Sequence, residues 1–127
     1  MKSIKMFGNE LVEVEYNDNV KVTVKELNQV YKLYDEVTGT NKVLKLLIIG
    51  KGTKITVAAR QYIIEENIKR NESIIAEAIV VNSIAQKVSS NIYIRFIGKI
   101  YPTRFFTDVE DASEWLVHQA KVVSENK

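Results

Sequence analysis

The chain has no cysteine, a single proline, a single histidine and only five glycines in 127 residues. Without cysteine there can be no disulfide, thiolate metal site or cysteine nucleophile. That absence is compatible with a reducing cytosol. His118 has no second imidazole to share a metal with. It falls in the last turns of the final predicted helix, where a cation suits the helix dipole. No metal, cofactor or catalytic role is therefore assigned to it. Long apolar runs are missing too. The longest are of strand length, such as Leu46-Leu47-Ile48-Ile49, too short to span a membrane. Met1 to Lys5 lacks the apolar core of a signal peptide, so the expectation is a soluble cytoplasmic protein. There is no block of like charge either. Eighteen basic residues are interspersed with sixteen acidic ones, for a net charge of +2. That is too little to argue for a nucleic-acid partner. The aromatics Tyr31, Tyr34, Tyr62, Tyr93, Phe96 and Tyr101 are not interleaved with a basic stripe.

What is present fits one domain over residues 1–127 with one core. Hydrophobic residues make up 46% and charged residues 27%. Disorder is expected only at Ser124 to Lys127. The stretch from Pro102 to Leu116 reads as a short strand running into a capped helix. Thr107 and Glu110 have capping-box spacing. Asp108, Glu110 and Asp111 place negative charge on the first turn. Val109, Ala112, Leu116 and Ala120 form an apolar stripe, with Trp115 on its flank.

Upstream, Ile4 to Phe7 and the alternating Leu11 to Tyr16 flank the turn Gly8-Asn9-Glu10, a hairpin pattern. Thr23 and Glu26 form a second capping box before Leu27, Val30, Tyr31, Tyr34 and Val37, and Gly39 ends that helix. Val43 to Ile49 is almost wholly apolar, as in a central parallel strand covered on both faces. After the loop Gly50 to Lys54, Thr56 caps a helix through Ala58, Ala59, Tyr62 and Ile63. Ser73 to Val81 is another apolar strand, interrupted by Glu77, which could face solvent near an edge, pair with a lysine or sit in a pocket; solvent exposure is the first expectation. Ser83 and Gln86 form a third capping box, before a helix whose stripe is Ile84, Val88, Ile92 and Phe96. The order is ββαβαβαβα. It implies an α/β domain with a mixed four- to five-stranded sheet, an antiparallel N-terminal hairpin and about four helices.

In that order the chain resembles the STAS-like class, also called SpoIIAA-like, and within it a small bacterial family of uncharacterised function. Three segments carry the resemblance. They are Thr53-Lys54-Ile55-Thr56-Val57-Ala58-Ala59-Arg60-Gln61-Tyr62, Ala78-Ile79-Val80-Val81-Asn82-Ser83, and Pro102 to Leu116, which reads Pro-x-x-Phe-Phe-Thr-Asp and then Ala-x-x-Trp-Leu. The resemblance covers most of residues 4 to 118. It implies a SpoIIAA-like fold and a non-enzymatic regulatory or interaction module. The signalling members of the class carry Asp-Ser-(Ser/Thr)-Gly at the start of the second helix, where a kinase phosphorylates the hydroxyl. Here that region reads Ile55-Thr56-Val57-Ala58, with a hydroxyl but neither aspartate nor glycine. The phosphorylation switch is therefore not carried over.

Candidate chemistry is sparse. Gly50-Lys51-Gly52-Thr53 lacks the spacing of a Walker loop. Lys51 and Lys54 nevertheless lie near a helix N-terminus, so an anion site stands beside the commoner reading as a solvated loop. Thr56 reads as an N-cap before it reads as a modified hydroxyl. The pairs Asp35-Glu36, Glu65-Glu66 and Glu110-Asp111 are sequence neighbours and do not converge on a helix. In open sheets, ligands favour the carboxyl ends of parallel strands. The candidate ligand edge is accordingly Lys51, Lys54, Thr56, Arg60, Asn82, Ser83 and Thr107. The dense segment 92–101 supplies a candidate apolar surface for a partner or ligand at Ile92, Tyr93, Phe96 and Tyr101. No nucleophile–base pair, metal cluster or cofactor loop supports an enzyme. Two functions are expected. The first is an interaction module for a protein partner, a second copy of the chain among the candidates. The alternative is a carrier or sensor of an apolar or anionic small molecule.

Overall fold

The computed structural model describes the backbone of residues 1–125 and the side chains through Val123. The strands are β1 (Ser3–Phe7), β2 (Leu11–Glu15), β3 (Lys21–Val22), β4 (Val43–Ile48), β5 (Lys54–Ile55), β6 (Ile74–Val80) and β7 (Thr103–Phe106). The helices are α1 (Val24–Thr38), α2 (Val57–Lys69), α3 (Ile84–Ile97) and α4 (Val109–Glu125). The main sheet has the order β1-β2-β4-β6-β7. Only the β1–β2 hairpin is antiparallel, with Ser3 opposite Glu15 and Phe7 opposite Leu11; the other pairs are parallel. The expected mixed sheet of four to five strands with an N-terminal hairpin and about four helices is formed, with five strands and, among the described residues, four helices. Of the segment where disorder was expected, helix α4 includes the backbone of Ser124 and Glu125, and Asn126 and Lys127 lie outside the described residues.

Each crossover in the parallel part advances the sheet in one direction, so α1, α2 and α3 share one face. There Val12, Val14, Leu27, Val30, Tyr31 and Tyr34 form one buried cluster. Ile64, Ile79, Tyr93 and Ile97 belong to the next. Helix α4 crosses the opposite face. It buries Ala112 and Leu116 on Leu44, Leu46, Ala76, Ala78 and Val80. The alanines of β6 let α4 lie close, and Trp115 closes the flank with its ring 5.6 Å from that of Phe106.

A two-residue parallel ladder, β3 with β5, was not expected from the sequence. Strands this short carry no periodicity to read. The ladder stitches the loop after β2 to the loop after β4. Thr53 Oγ1 donates to the Asn17 carbonyl, Lys54 N donates to Val20 O, and Asn19 N donates to Lys51 O. Gly50 is required at this seam, because a Cβ there would stand 2.2 Å from the Asn17 carbonyl oxygen.

The capping devices divide. Thr56 Oγ1 accepts from Ala59 N at 3.1 Å, and Ser83 Oγ accepts from Gln86 N at 3.1 Å. Thr23 flanks α1 without a side-chain bond, and Glu26 instead accepts from the Met1 ammonium at 2.8 Å. Thr107 is not the cap of α4. Asp108 Oδ1 accepts from both Glu110 N and Asp111 N, at 2.7 and 3.1 Å, and its carboxylate offers the N-terminus charge as well as an acceptor. Three helix faces also differ from expectation. Val37 and Ala58 are exposed, while Thr38 and Asn67 are buried. On α3 the stripe Ile84, Val88, Ile92 and Phe96 points outward, and the buried side is Gln86, Ser90, Tyr93 and Ile97.

The caps give a direct test. Asp108→Ala should cost about 1 kcal/mol in urea unfolding, the usual value of an N-cap, and Thr107→Ala less than about half of that. Equal losses for the two variants would contradict the assignment of Asp108.

Candidate functional site

Beneath the three helices lies a buried ion pair that interrupts two central strands. Lys45 on β4 and Glu77 on β6 are register partners facing the helices, 4% and 1% exposed. Of the readings open for Glu77, the preferred one, solvent exposure, is corrected in favour of pairing with a lysine, and the residue sits at the centre of a polar cluster. Glu77 Oε2 is 3.7 Å from Lys45 Nζ. Glu77 Oε1 accepts from the hydroxyls of Tyr93 and, at 3.1 Å, Tyr101. Lys45 donates to Asn67 Oδ1 at 3.0 Å, as does Tyr31 at 2.9 Å, and Asn67 Nδ2 donates to Tyr93. The Lys45 ammonium also lies 5.0 Å from the centre of the Tyr34 ring.

Burial pushes the Lys45 ammonium below its ordinary range, and the Glu77 charge opposes that shift. Burial likewise raises the phenols of Tyr16, Tyr31, Tyr34, Tyr93 and Tyr101, with Glu77 adding to all but Tyr16, where Glu26 adds instead.

At the carboxyl end of the sheet a cavity of about 320 Å³ lies between α2 and α3, with Tyr93 of this cluster in its wall. Its apolar walls are Leu47 and Ile49 at the end of β4, Ile79 on β6, Ile55 on β5 and Ile63 on α2. Tyr93 joins the cavity to the buried ion pair. Arg60 and Lys54 line it, and no carboxylate does. Arg60 Nε is buried with no hydrogen-bond partner among the described residues. Gln86 closes one side. Its amide nitrogen donates to the carbonyls of Gly50 and Thr53, and its oxygen accepts from Asn82 N.

The seven residues of the expected ligand edge do not form one site. Lys54, Arg60 and Ser83 meet around the cavity. Asn82, Ser83 and Thr107 border a separate shallow depression together with Lys87. Lys51 is exposed and lines neither, and Thr56 is occupied as a cap. The Asn82 side chain is committed to the Ile49 carbonyl. The expected apolar surface also splits: Tyr93 and Tyr101 are buried at 6% and 5% exposure, while Ile92 and Phe96 are exposed at 38% and 58%. Reading the sequence alone missed Lys45, Asn67, Gln86 and Ser90. A lysine and a glutamate, each alone in the middle of an apolar strand, were the available signal for the ion pair.

Among the described residues no helix is long and apolar enough to cross a membrane, and no group of three His, Asp or Glu side chains could hold a metal.

Two tests address the cluster. Glu77→Leu leaves Lys45 buried and unpaired and should cost about 3–5 kcal/mol, whereas Glu77→Leu with Lys45→Met should recover much of that loss. Additive losses would show that the two charges do not depend on each other. The second test is alkaline unfolding. Five phenols are held protonated in the fold but ionise near pH 10 when unfolded, so their contribution is intact below pH 10 and is lost above it. Lys45 acts oppositely, gaining stability as pH rises toward 10.5, but supplies one proton against five. In a Tyr62→Phe chain, which keeps only these five phenols, absorbance at 295 nm should therefore rise in one step with the loss of far-UV ellipticity, above pH 10. Stepwise tyrosine titration in a still-folded chain would contradict the buried assignment.

The fold is similar to that of an uncharacterised DUF3478-family protein with a SpoIIAA-like fold from Shewanella loihica PV-4. The TM-score is 0.65, with 90% of each chain covered and 17% identity. The SpoIIAA-like architecture expected from the sequence is thereby shown, and at that identity the likeness concerns the fold alone. No curated protein matches the sequence. The model of a domain of unknown function, DUF7793, matches residues 5–120, and the chain belongs to that family.

Proposed function

We propose that the domain is a non-enzymatic interaction module that docks an acidic, partly apolar protein surface on the outer face of α3. One observation carries this reading. Ile84, Val88, Ile92 and Phe96 recur at every fourth position of α3, yet they are 80%, 56%, 38% and 58% exposed. Side chains four apart on a helix lie above one another, so the four make a continuous stripe. Apolar surface gathered in one stripe is the kind that partners cover. The charge that α3 itself carries has one sign: Lys87 and Arg95, with Lys99 just past its end and no acid. Such a face selects against basic partners and speeds encounter with acidic ones.

A second copy of the chain has the matching chemistry. The first two turns of α4 hold Glu110, Asp111 and Glu114 after Asp108, with Val109 and Val117 exposed at 42% and 50%. Contact of α3 in one copy with α4 in the next would join two different surfaces and build open or ring-like assemblies.

A photo-crosslinking residue at Val88, introduced into the full chain in its own cells, should give a discrete adduct. Lys87→Glu with Arg95→Glu should abolish that adduct while the fold persists by circular dichroism. Light scattering at micromolar concentration separates the partners. An oligomer dispersed by the same two substitutions identifies a second copy, and a monomer with an adduct of different mass identifies another protein. A monomer that gives no adduct would end the proposal.

A further inference from the structure

The geometry points to the cavity between α2 and α3 as a binding site for a small amphiphile: an apolar body bearing one carboxylate. The site is separate from the outer face of α3 and independent of the docking reading. Its size sets the ligand. About 320 Å³, at about 30 Å³ for a water-sized group, admits roughly ten non-hydrogen atoms. Its walls set the body. Leu47, Ile49, Ile63 and Ile79 offer no hydrogen bond from their side chains, so the bulk of the occupant is hydrocarbon.

Arg60 sets the head group. It projects from the second turn of α2 into a lining that holds two cations and no carboxylate. Its Nε is buried and unpartnered, and its guanidinium has no ion pair among the described residues. A buried donor without an acceptor is costly, and a carboxylate removes that cost by presenting two acceptor oxygens to the guanidinium fork. Lys54 at the same cavity adds favourable charge. Thr53, Ser83 and Gln86 are already engaged, with the Asn17 carbonyl, the cap of α3 and the loop carbonyls, which leaves the two cations and the hydroxyls of Ser89 and Ser90 to meet a head group. Inorganic phosphate has no hydrocarbon to meet the apolar walls, so it gains little there. The carboxylate at Arg60 and the chain over Ile79 together fill the space above Tyr93.

Titration of the full chain with decanoate, decanol and inorganic phosphate tests this by calorimetry and isotope-edited NMR. Decanoate should bind with nuclear Overhauser contacts to Ile49 and Ile79, more tightly than decanol, and phosphate should not compete. Arg60→Gln should weaken decanoate at least tenfold, about 1.4 kcal/mol, and leave decanol unchanged. Arg60→Lys should recover part of the loss. Dispersed amide spectra of both variants confirm that they fold. The assignment is overturned if decanoate does not bind at millimolar concentration, if its contacts lie elsewhere, or if Arg60→Gln binds it as well as the native chain.

Discussion

The three helices on one face of this sheet are organised around a charge pair that water never reaches. Two opposite charges on adjacent central strands cannot be left with a single contact, because desolvating them costs several kcal/mol each. The chain surrounds them instead. Tyr31 and Tyr34 come from α1, Asn67 from α2, Tyr93 from α3, and Tyr101 from the loop before β7. Each helix on that face thus contributes at least one polar or aromatic group to the same point. Such a cluster adds little stability over a hydrophobic replacement, but it allows few alternative arrangements. A one-residue slip of β4 would turn Lys45 toward α4, where Ala112 and Leu116 offer it no acceptor. The spacing of α2 and α3, and so the cavity between them, follows from Asn67 and Tyr93 meeting over Glu77.

Helix α3 shows how far periodicity can be trusted. The pattern at Ile84, Val88, Ile92 and Phe96 identifies a helix correctly but assigns the wrong side to the core. Hydrophobicity decides orientation only when the interior is uniformly apolar. Here the interior facing α3 has the Gly50 and Thr53 carbonyls at one end and Glu77 at the other. Those groups require donors, so Gln86 and Tyr93 turn inward and carry the polar side of the helix with them. The aliphatic stripe is left outside. An unmet acceptor costs more than an exposed isoleucine gains by burial in a space already filled.

The same contrast separates what was legible from what was not. The order of elements, the central position of Val43 to Ile49, and the caps at Thr56 and Ser83 depend on short-range rules and could be read directly. The α4 cap could not be separated that way, because Thr107 and Asp108 are both good capping residues and only the backbone decides which one meets the first turn. The fate of Glu77 depends on a lysine 32 positions upstream, and that of Asn82 on the Ile49 carbonyl. These are long-range pairings with no periodic signature. Of the expected ligand edge, topology brings Lys54, Arg60 and Ser83 to one cavity. Lys51 and Thr107 were chosen for nearness to helix ends, and helix ends at one edge of a sheet need not share a pocket.

Helix α3 is where the two proposed binding surfaces meet. Its inner side carries Ser90 and Tyr93 on the cavity wall, and its outer side carries Val88, Ile92 and Phe96. A helix is stiff along its axis, so an occupant that displaces the inner side must move the outer side with it. Linkage then fixes the form of any effect: a ligand that changes the affinity for a partner is itself bound more or less tightly by the same factor when the partner is present. The size of that factor depends on how far α3 can shift. Tyr93 limits the shift, because its hydroxyl is tied to both Glu77 and Asn67. The buried ion pair that sets the width of the cavity therefore also bounds the coupling between its two sides.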